Sequence, residues 1–131
     1  MNTKHVPTLE LCQELDRLCK EKKIVVPETE FYWYAHRRME DLTLIKWKIK
    51  ESRCGSKESV PAPLVSEQGE WLPRKYKTMY FDTIREAGKW RMTYTDHIKK
   101  EYFEMFEATT EANARMKMTN YLIAEGIITK L

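Results

Sequence analysis

Lys89-Trp90-Arg91-Met92-Thr93-Tyr94-Thr95 decides the fold class. Trp90, Met92 and Tyr94 alternate with Lys89, Arg91 and Thr93, the period of two expected of a strand with one buried and one wet face. Upstream, Tyr76 to Ile84 reads as a strand, and Arg85-Glu86-Ala87-Gly88 closes the pair into a hairpin. The same pattern stands earlier in the chain. Ile45, Trp47 and Ile49 alternate with Lys46, Lys48 and Lys50 in a strand from Leu42 to Lys50. The aromatic run Phe31-Tyr32-Trp33-Tyr34 supplies its partner strand, and Arg37 to Asp41 joins the two.

Helices flank the hairpins. Leu11, Cys12, Leu15, Leu18 and Cys19 recur at three/four spacing, which predicts a helix from Thr8 to Lys22 with Thr8 as N-cap. A short helix is expected from Leu64 to Leu72, closed by Pro73 and weakened by Gly69. Residues 97–126 carry a helical pattern, with Tyr102, Phe103 and Phe106 as one apolar group and Ala112, Met116, Tyr121, Leu122 and Ile123 as another. Thr109-Thr110-Glu111 can divide it, one Thr acting as a second N-cap, and Gly126 is a suitable end. The polar segment from Glu51 to Val60 reads as a loop that Pro61-Ala62-Pro63 ends.

The expected fold class is therefore α+β: helix, hairpin, helix, hairpin, helix (αββαββα), a single domain over 1–131. The two helix–hairpin units are alike in register. Pro7-Thr8-Leu9 and Pro63-Leu64-Val65 open their helices, and Lys46-Trp47-Lys48 and Lys89-Trp90-Arg91 mark their second strands. An internal repeat of two αββ halves (about 6–50 and 61–95), followed by a helical segment over 97–126, would complete one four-stranded antiparallel sheet with helices packed on one face. The plain alternative is that any αββ unit produces such a pattern.

Composition narrows the functional classes. The chain has 131 residues, 33% of them charged with both signs mixed, and a net charge of only +3. So weak a field does not by itself call for nucleic acid or an anionic membrane. No apolar run approaches the ~20 residues of a membrane-spanning helix, and no apolar core follows the basic residues near Met1, so a cytoplasmic protein without a membrane partner is expected. The three cysteines Cys12, Cys19 and Cys54 fit reduced thiols better than a disulfide framework.

Several motifs resemble a group of small uncharacterised proteins encoded by bacteriophages and integrated bacterial elements. They are Pro7-Thr8-Leu9-Glu10-Leu11-Cys12-Gln13-Glu14-Leu15, Phe31-Tyr32-Trp33, Pro61-Ala62-Pro63-Leu64 and Glu70-Trp71-Leu72-Pro73. The resemblance covers most of the chain up to Pro73 and is looser beyond it. It implies a phage-related accessory protein and assigns no residue a role.

The reactive residues are scattered. His5, His36 and His97 offer no ligand spacing, and no four ligands suggest a zinc site, so neither metal nor cofactor is expected. Cys54 lies beside Arg53 in the polar loop without an obvious base, Asp96 and His97 point opposite ways if they share a strand, and no glycine-rich phosphate loop exists. The reading is a protein that is not an enzyme. Two binding classes remain. Tyr102, Phe103, Met105 and Phe106 are the candidate protein contact, for an unknown partner or a homo-oligomer, against the plain reading of a core stripe. The alternative is single-stranded nucleic acid on a basic, aromatic-bearing sheet face made of Tyr32, Tyr34, His36, Lys46, Lys48, Lys50, Lys89 and Arg91. The plain reading of those cations is a solvated face that guards sheet edges.

Overall fold

The computed structural model describes residues 5–35, 43–46 and 58–131. The elements run α1 (Leu9–Lys22), β1 (Phe31–Ala35), β2 (Thr43–Lys46), β3 (Glu58–Ala62), α2 (Val65–Trp71), β4 (Lys75–Tyr76), β5 (Met79–Glu86), β6 (Lys89–Asp96), β7 (Glu101–Ala108) and α3 (Glu111–Ala124). The fold class is α+β, with two open antiparallel sheets. One has the order β2-β1-β3, the other β4-β5-β6-β7.

This differs from the single four-stranded sheet that a joined pair of αββ halves predicts. The two hairpins do not pair with each other. Each finds its further partner in a segment read otherwise from sequence. The first takes β3, from the end of the expected polar loop, where Tyr32 pairs with Pro61 and Phe31 with Ala62. Proline removes a donor, and β3 is an edge strand, where that loss is tolerated. The second hairpin takes β7, from the expected C-terminal helix. The joining hairpin residues 37–41 and Cys54 lie outside the described residues.

A β-bulge explains the misreading of β7. In a regular strand Phe103 and Phe106 would face opposite sides. Here Thr93 pairs with Met105 and Tyr94 with Phe103, so Glu104 is an extra residue, with φ 29°. Phe103 and Phe106 thereby share one face, and both rings lie against Tyr121 of α3, at 5.8 and 5.3 Å between centroids. Three-residue spacing on one face is also the signature of a helix. The bulge interrupts the ladder, and the Thr93 hydroxyl donates to the Phe103 carbonyl at 2.9 Å.

α3 is the hub of the main core. Ala112, Ala114, Met116, Met118, Leu122 and Ile123 are all fully buried, because α1, α2 and the second sheet each cover part of its circumference. Leu15, Leu18 and Cys19 of α1 and Met92 and Tyr94 of β6 join the same core. Thr110 caps α3 as expected, accepting from the Asn113 amide at 3.2 Å. Thr8 stands at the N-cap of α1, but its hydroxyl makes no capping bond; its amide instead donates to Asn113 Oδ1 at 2.9 Å and ties the starts of α1 and α3 together. A smaller core unites Val6, Cys12, Val60 and Ala62 with Phe31, Trp33 and Leu64. Burial pushes the Cys12 thiol up to about 12, so this sulfur is a packing group and not a nucleophile.

Tyr94 anchors β6 to the segment that follows α2. Its hydroxyl donates to the Pro73 carbonyl at 2.6 Å inside the core, and burial raises its pKa. Tyr94→Phe leaves that carbonyl without its donor and is expected to cost about 1–2 kcal/mol in urea unfolding. The β5–β6 turn has the opposite defect. Ala87 and Gly88 have φ of 52° and 74°, the left-handed pair of a type I′ hairpin. Alanine is strained there, so Ala87→Asn is expected to raise stability by ~0.5–1 kcal/mol in the same measurement.

Candidate nucleic-acid interface

The helices cover only one face of the second sheet. Register defines the open face as a series of rows across β5, β6 and β7. Tyr80 pairs with Thr95 and Thr95 with Tyr102; Asp82 pairs with Thr93 and Thr93 with Met105; Ile84 pairs with Arg91 and Arg91 with Glu107. Glu86 and Lys89 close the far end beside the Ala87-Gly88 turn.

Charge is distributed unevenly over this face. At the Ala87-Gly88 end, Arg91 Nε donates to Glu107 Oε2 at 3.2 Å, Arg91 Nη1 reaches Glu86 Oε2 at 3.4 Å, and Lys89 Nζ lies 3.5 Å from Glu107 Oε1. The Arg91 hydrogen bond first, and then the Lys89 charge, hold the Glu107 carboxyl below its usual range. Lys89 and Arg91 do lie on an open sheet face, as expected from sequence, but their charge is already matched.

The opposite end differs. Tyr80 is 55% exposed and Tyr102 is 66% exposed, and the two flank Thr95 in a single row. Their strands are roughly 10 Å apart, two inter-strand spacings. Lys75 Nζ sits 5.4 Å from the Tyr80 ring centroid; Lys77 Nζ instead lies 5.3 Å from that of Tyr76, whose ring packs against Phe103 on the helix-covered face. Lys99 and Lys100 follow in the β6–β7 turn. Among the described residues, Lys75, Lys77, Lys99 and Lys100 make no salt bridge, although Lys99 is attracted to the nearby Asp96. A groove of about 400 Å³ lies on the same face, lined by Asp82, Thr93, Thr95, Tyr102 and Met105 among others, with His97 Nε2 3.4 Å from Asp82 Oδ2.

Asp96 fixes this end. Its Oδ1 accepts from the Ile98 and Lys99 amides, each at 3.0 Å, and its Oδ2 accepts from the Thr78 hydroxyl at 2.9 Å. One carboxylate therefore shapes the β6–β7 turn and ties it to the β4–β5 turn, so that Lys77 and Lys99 are carried on linked supports.

The predicted site residues are redistributed. Tyr32 is 6% exposed, so it offers no ring for stacking. Tyr34 and Lys46 occupy register positions in the first sheet, opposite Thr43 and Phe31, and therefore not in the sheet of Lys89 and Arg91. His36, Lys48 and Lys50 lie outside the described residues. The predicted protein contact is split by the bulge: Tyr102 and Met105 face outward, whereas Phe103 and Phe106 pack on α3. Sequence reasoning missed Tyr80, Asp82 and the turn lysines. The alternation of Tyr80, Asp82 and Ile84 with Phe81 and Thr83 was the available signal for the first two; no periodicity marks a turn lysine.

Among the described residues, no group of three His, Cys, Asp or Glu could hold a metal ion, and no helix is long and apolar enough to cross a membrane. No family model, curated protein or solved structure matches the chain.

The linkage at Asp96 has a definite sign. The Lys99 amide, the Thr78 hydroxyl and the Ile98 amide together hold its carboxyl below the usual range. A carboxylate with a depressed folded-state pKa stabilises the fold above the unfolded value of ~3.9, and that contribution is lost as pH falls through the folded value. The unfolding temperature is expected to fall as pH drops below about 5 and through the folded value below ~3.9, and Asp96→Asn should flatten part of that decline. Parallel profiles for the two proteins would show that Asp96 carries none of it.

Proposed function

We propose that the chain binds single-stranded nucleic acid on the open face of the second sheet, at the end framed by the β4–β5 and β6–β7 turns. The supporting observation is the solvent-open row of Tyr80 and Tyr102 beside Lys75, Lys99 and Lys100, which make no salt bridge among the described residues. Every base has a π-face, so exposed tyrosines offer sequence-tolerant stacking worth about 1–3 kcal/mol per base. Lysines beside them supply the phosphate contacts that give such binding its affinity. Duplex DNA is the poorer ligand, because its bases are already stacked on one another. None of the residues expected from sequence to form a basic, aromatic-bearing face carries this reading; its working residues are Lys75, Tyr80, Lys99, Lys100 and Tyr102. The resemblance to phage-type accessory proteins suits a small binder of this sort.

A protein partner is the second reading. It is favoured by Ile98, 94% exposed at the tip of the β6–β7 turn, and by Met105, 40% exposed on the same sheet face. Rigid turns that present an apolar side chain suit a partner pocket.

The two readings separate in one titration. Fluorescence anisotropy with short single-stranded oligonucleotides should show affinity falling with salt, at a logarithmic slope of about −0.7 per phosphate contacted, or roughly −2 for three lysines. Tyr80→Ala combined with Tyr102→Ala should weaken binding at least tenfold at fixed salt, at ~1 kcal/mol or more per ring. Absence of binding at low salt removes the nucleic-acid reading. Concentration-dependent self-association that Ile98→Asp abolishes then supports the protein reading in its place.

A further inference from the structure

The groove beside Tyr102 does more than widen the stacking surface. We infer that it reads one base of the bound strand, and that Asp82 makes guanine the preferred base and uracil or thymine the least favoured. The inference rests on the nucleic-acid reading above and adds a specificity-determining residue to it.

The row that holds Asp82 lies next to the row of the two tyrosines, on the same face of the sheet. Asp82 is on β5 and Tyr102 on β7, both lining the groove, with β6 between them. The strands are roughly 10 Å apart and the rows roughly 7 Å, a diagonal of about 12 Å that the two side chains, a nucleobase and one hydrogen bond can span. A base held against the Tyr102 ring can therefore turn its Watson–Crick edge toward the Asp82 carboxylate. Below it, the Thr93 hydroxyl is already committed to the Phe103 carbonyl. His97 Nε2 lies near Oδ2 of Asp82, and Oδ1 has no hydrogen-bond or ion-pair partner among the described residues. His97 sits with its side chain 71% exposed, free to move aside.

An ionised carboxylate only accepts hydrogen bonds, through two oxygens side by side. The base that suits it must bring two adjacent donors. Guanine does so with N1–H and the exocyclic N2–H. Adenine and cytosine each offer one amino donor next to a ring acceptor. Uracil and thymine offer a single N3–H between two carbonyl oxygens, and those oxygens face the carboxylate charge. The order of preference follows from this geometry. The same carboxylate repels phosphate, so its presence on a face otherwise suited to a polyanion is a cost in affinity that base recognition would repay.

The test uses oligouridine of about eight nucleotides, with and without a single central guanosine, a length within the usual range of such sites. The native chain should bind the guanosine-containing strand roughly fivefold or more tightly, the low end of a bidentate base contact. Asp82→Asn should abolish that ratio while leaving affinity for oligouridine unchanged or raised, because one negative charge is gone. Glu101→Gln is the control for simple charge removal. Glu101 also lines the groove, and its substitution should raise both affinities together and keep the ratio. Because the readout is a ratio within one protein sample, a partly misfolded variant does not imitate it. Equal affinity of the native chain for the two strands overturns the inference while the nucleic-acid reading stands, and so does a ratio that survives Asp82→Asn. Failure of both strands to bind at low salt overturns the two together.

Discussion

The extra residue at Glu104 is the constraint on which both sides of the second sheet depend. Without it, β7 would send Phe103 and Phe106 to opposite faces, and one phenyl ring would be exposed where the open face now stands. With it, both rings reach Tyr121 and close the core over α3, while Tyr102 and Met105 are turned outward. A left-handed backbone at a non-glycine residue carries a cost of about 1–2 kcal/mol. Burying one phenylalanine instead of exposing it is worth ~1.5–3 kcal/mol, so the bulge is favoured by the packing it permits. A bulge near a sheet edge also discourages edge-to-edge pairing, and β7 is an edge strand carrying Glu101, Glu104 and Glu107.

Much of the fold was legible because its signals were local. The apolar spacing of Leu11 to Cys19 marked α1, Pro73 marked the end of α2, and the alternation around Trp90 marked β6. Thr110 acted as the second N-cap, and Gly126, with φ 76°, takes the left-handed conformation expected past a helix end. Two strands were not legible, for different reasons. In β7 a single inserted residue converts a period of two into a spacing of three, which no window-based reading can tell from a helical turn. In β3 the sequence Glu58-Ser59-Val60-Pro61-Ala62 has the composition of a loop; it becomes a strand only because β1 needs an edge partner and Val60 and Ala62 fill the smaller core. Sheet membership is a third case. The resemblance between Lys46-Trp47-Lys48 and Lys89-Trp90-Arg91 concerns strand chemistry, and it carries no information about which strands pair.

The candidate site shows why counting cations along a strand is a poor guide to a binding face. Lys89 and Arg91 point outward as alternation requires, yet Glu107 on β7 and Glu86 across the hairpin lie directly opposite in the register. Their pairing follows from cross-strand neighbours that a one-strand reading never sees. Lys75, Lys99 and Lys100 lie in or beside turns and make no salt bridge among the described residues. Coulomb attraction to a phosphate is weakened when a carboxylate already occupies the cation, because the new contact must replace an existing one. Two ends of one sheet face thus differ in how much of their positive charge is already matched, and only the matched end was read as basic in sequence.

Position on turns would ordinarily argue against a defined site, since turn residues are the first to fray. The Asp96 carboxylate answers that objection in physical terms. It satisfies two turn amides and one hydroxyl of a neighbouring turn with a single side chain, so loosening either turn exposes unpaired donors in the other. Lys75, in turn, is held over Tyr80 by the pairing of β4 with β5, two residues that face each other across the ladder. Cations and aromatic rings at this end are therefore placed by backbone hydrogen bonds as well as by their own contacts. A ligand that engaged them would lose less freedom than by ordering flexible side chains on a mobile loop, and such pre-organisation is what a face of weak net charge would need in order to bind.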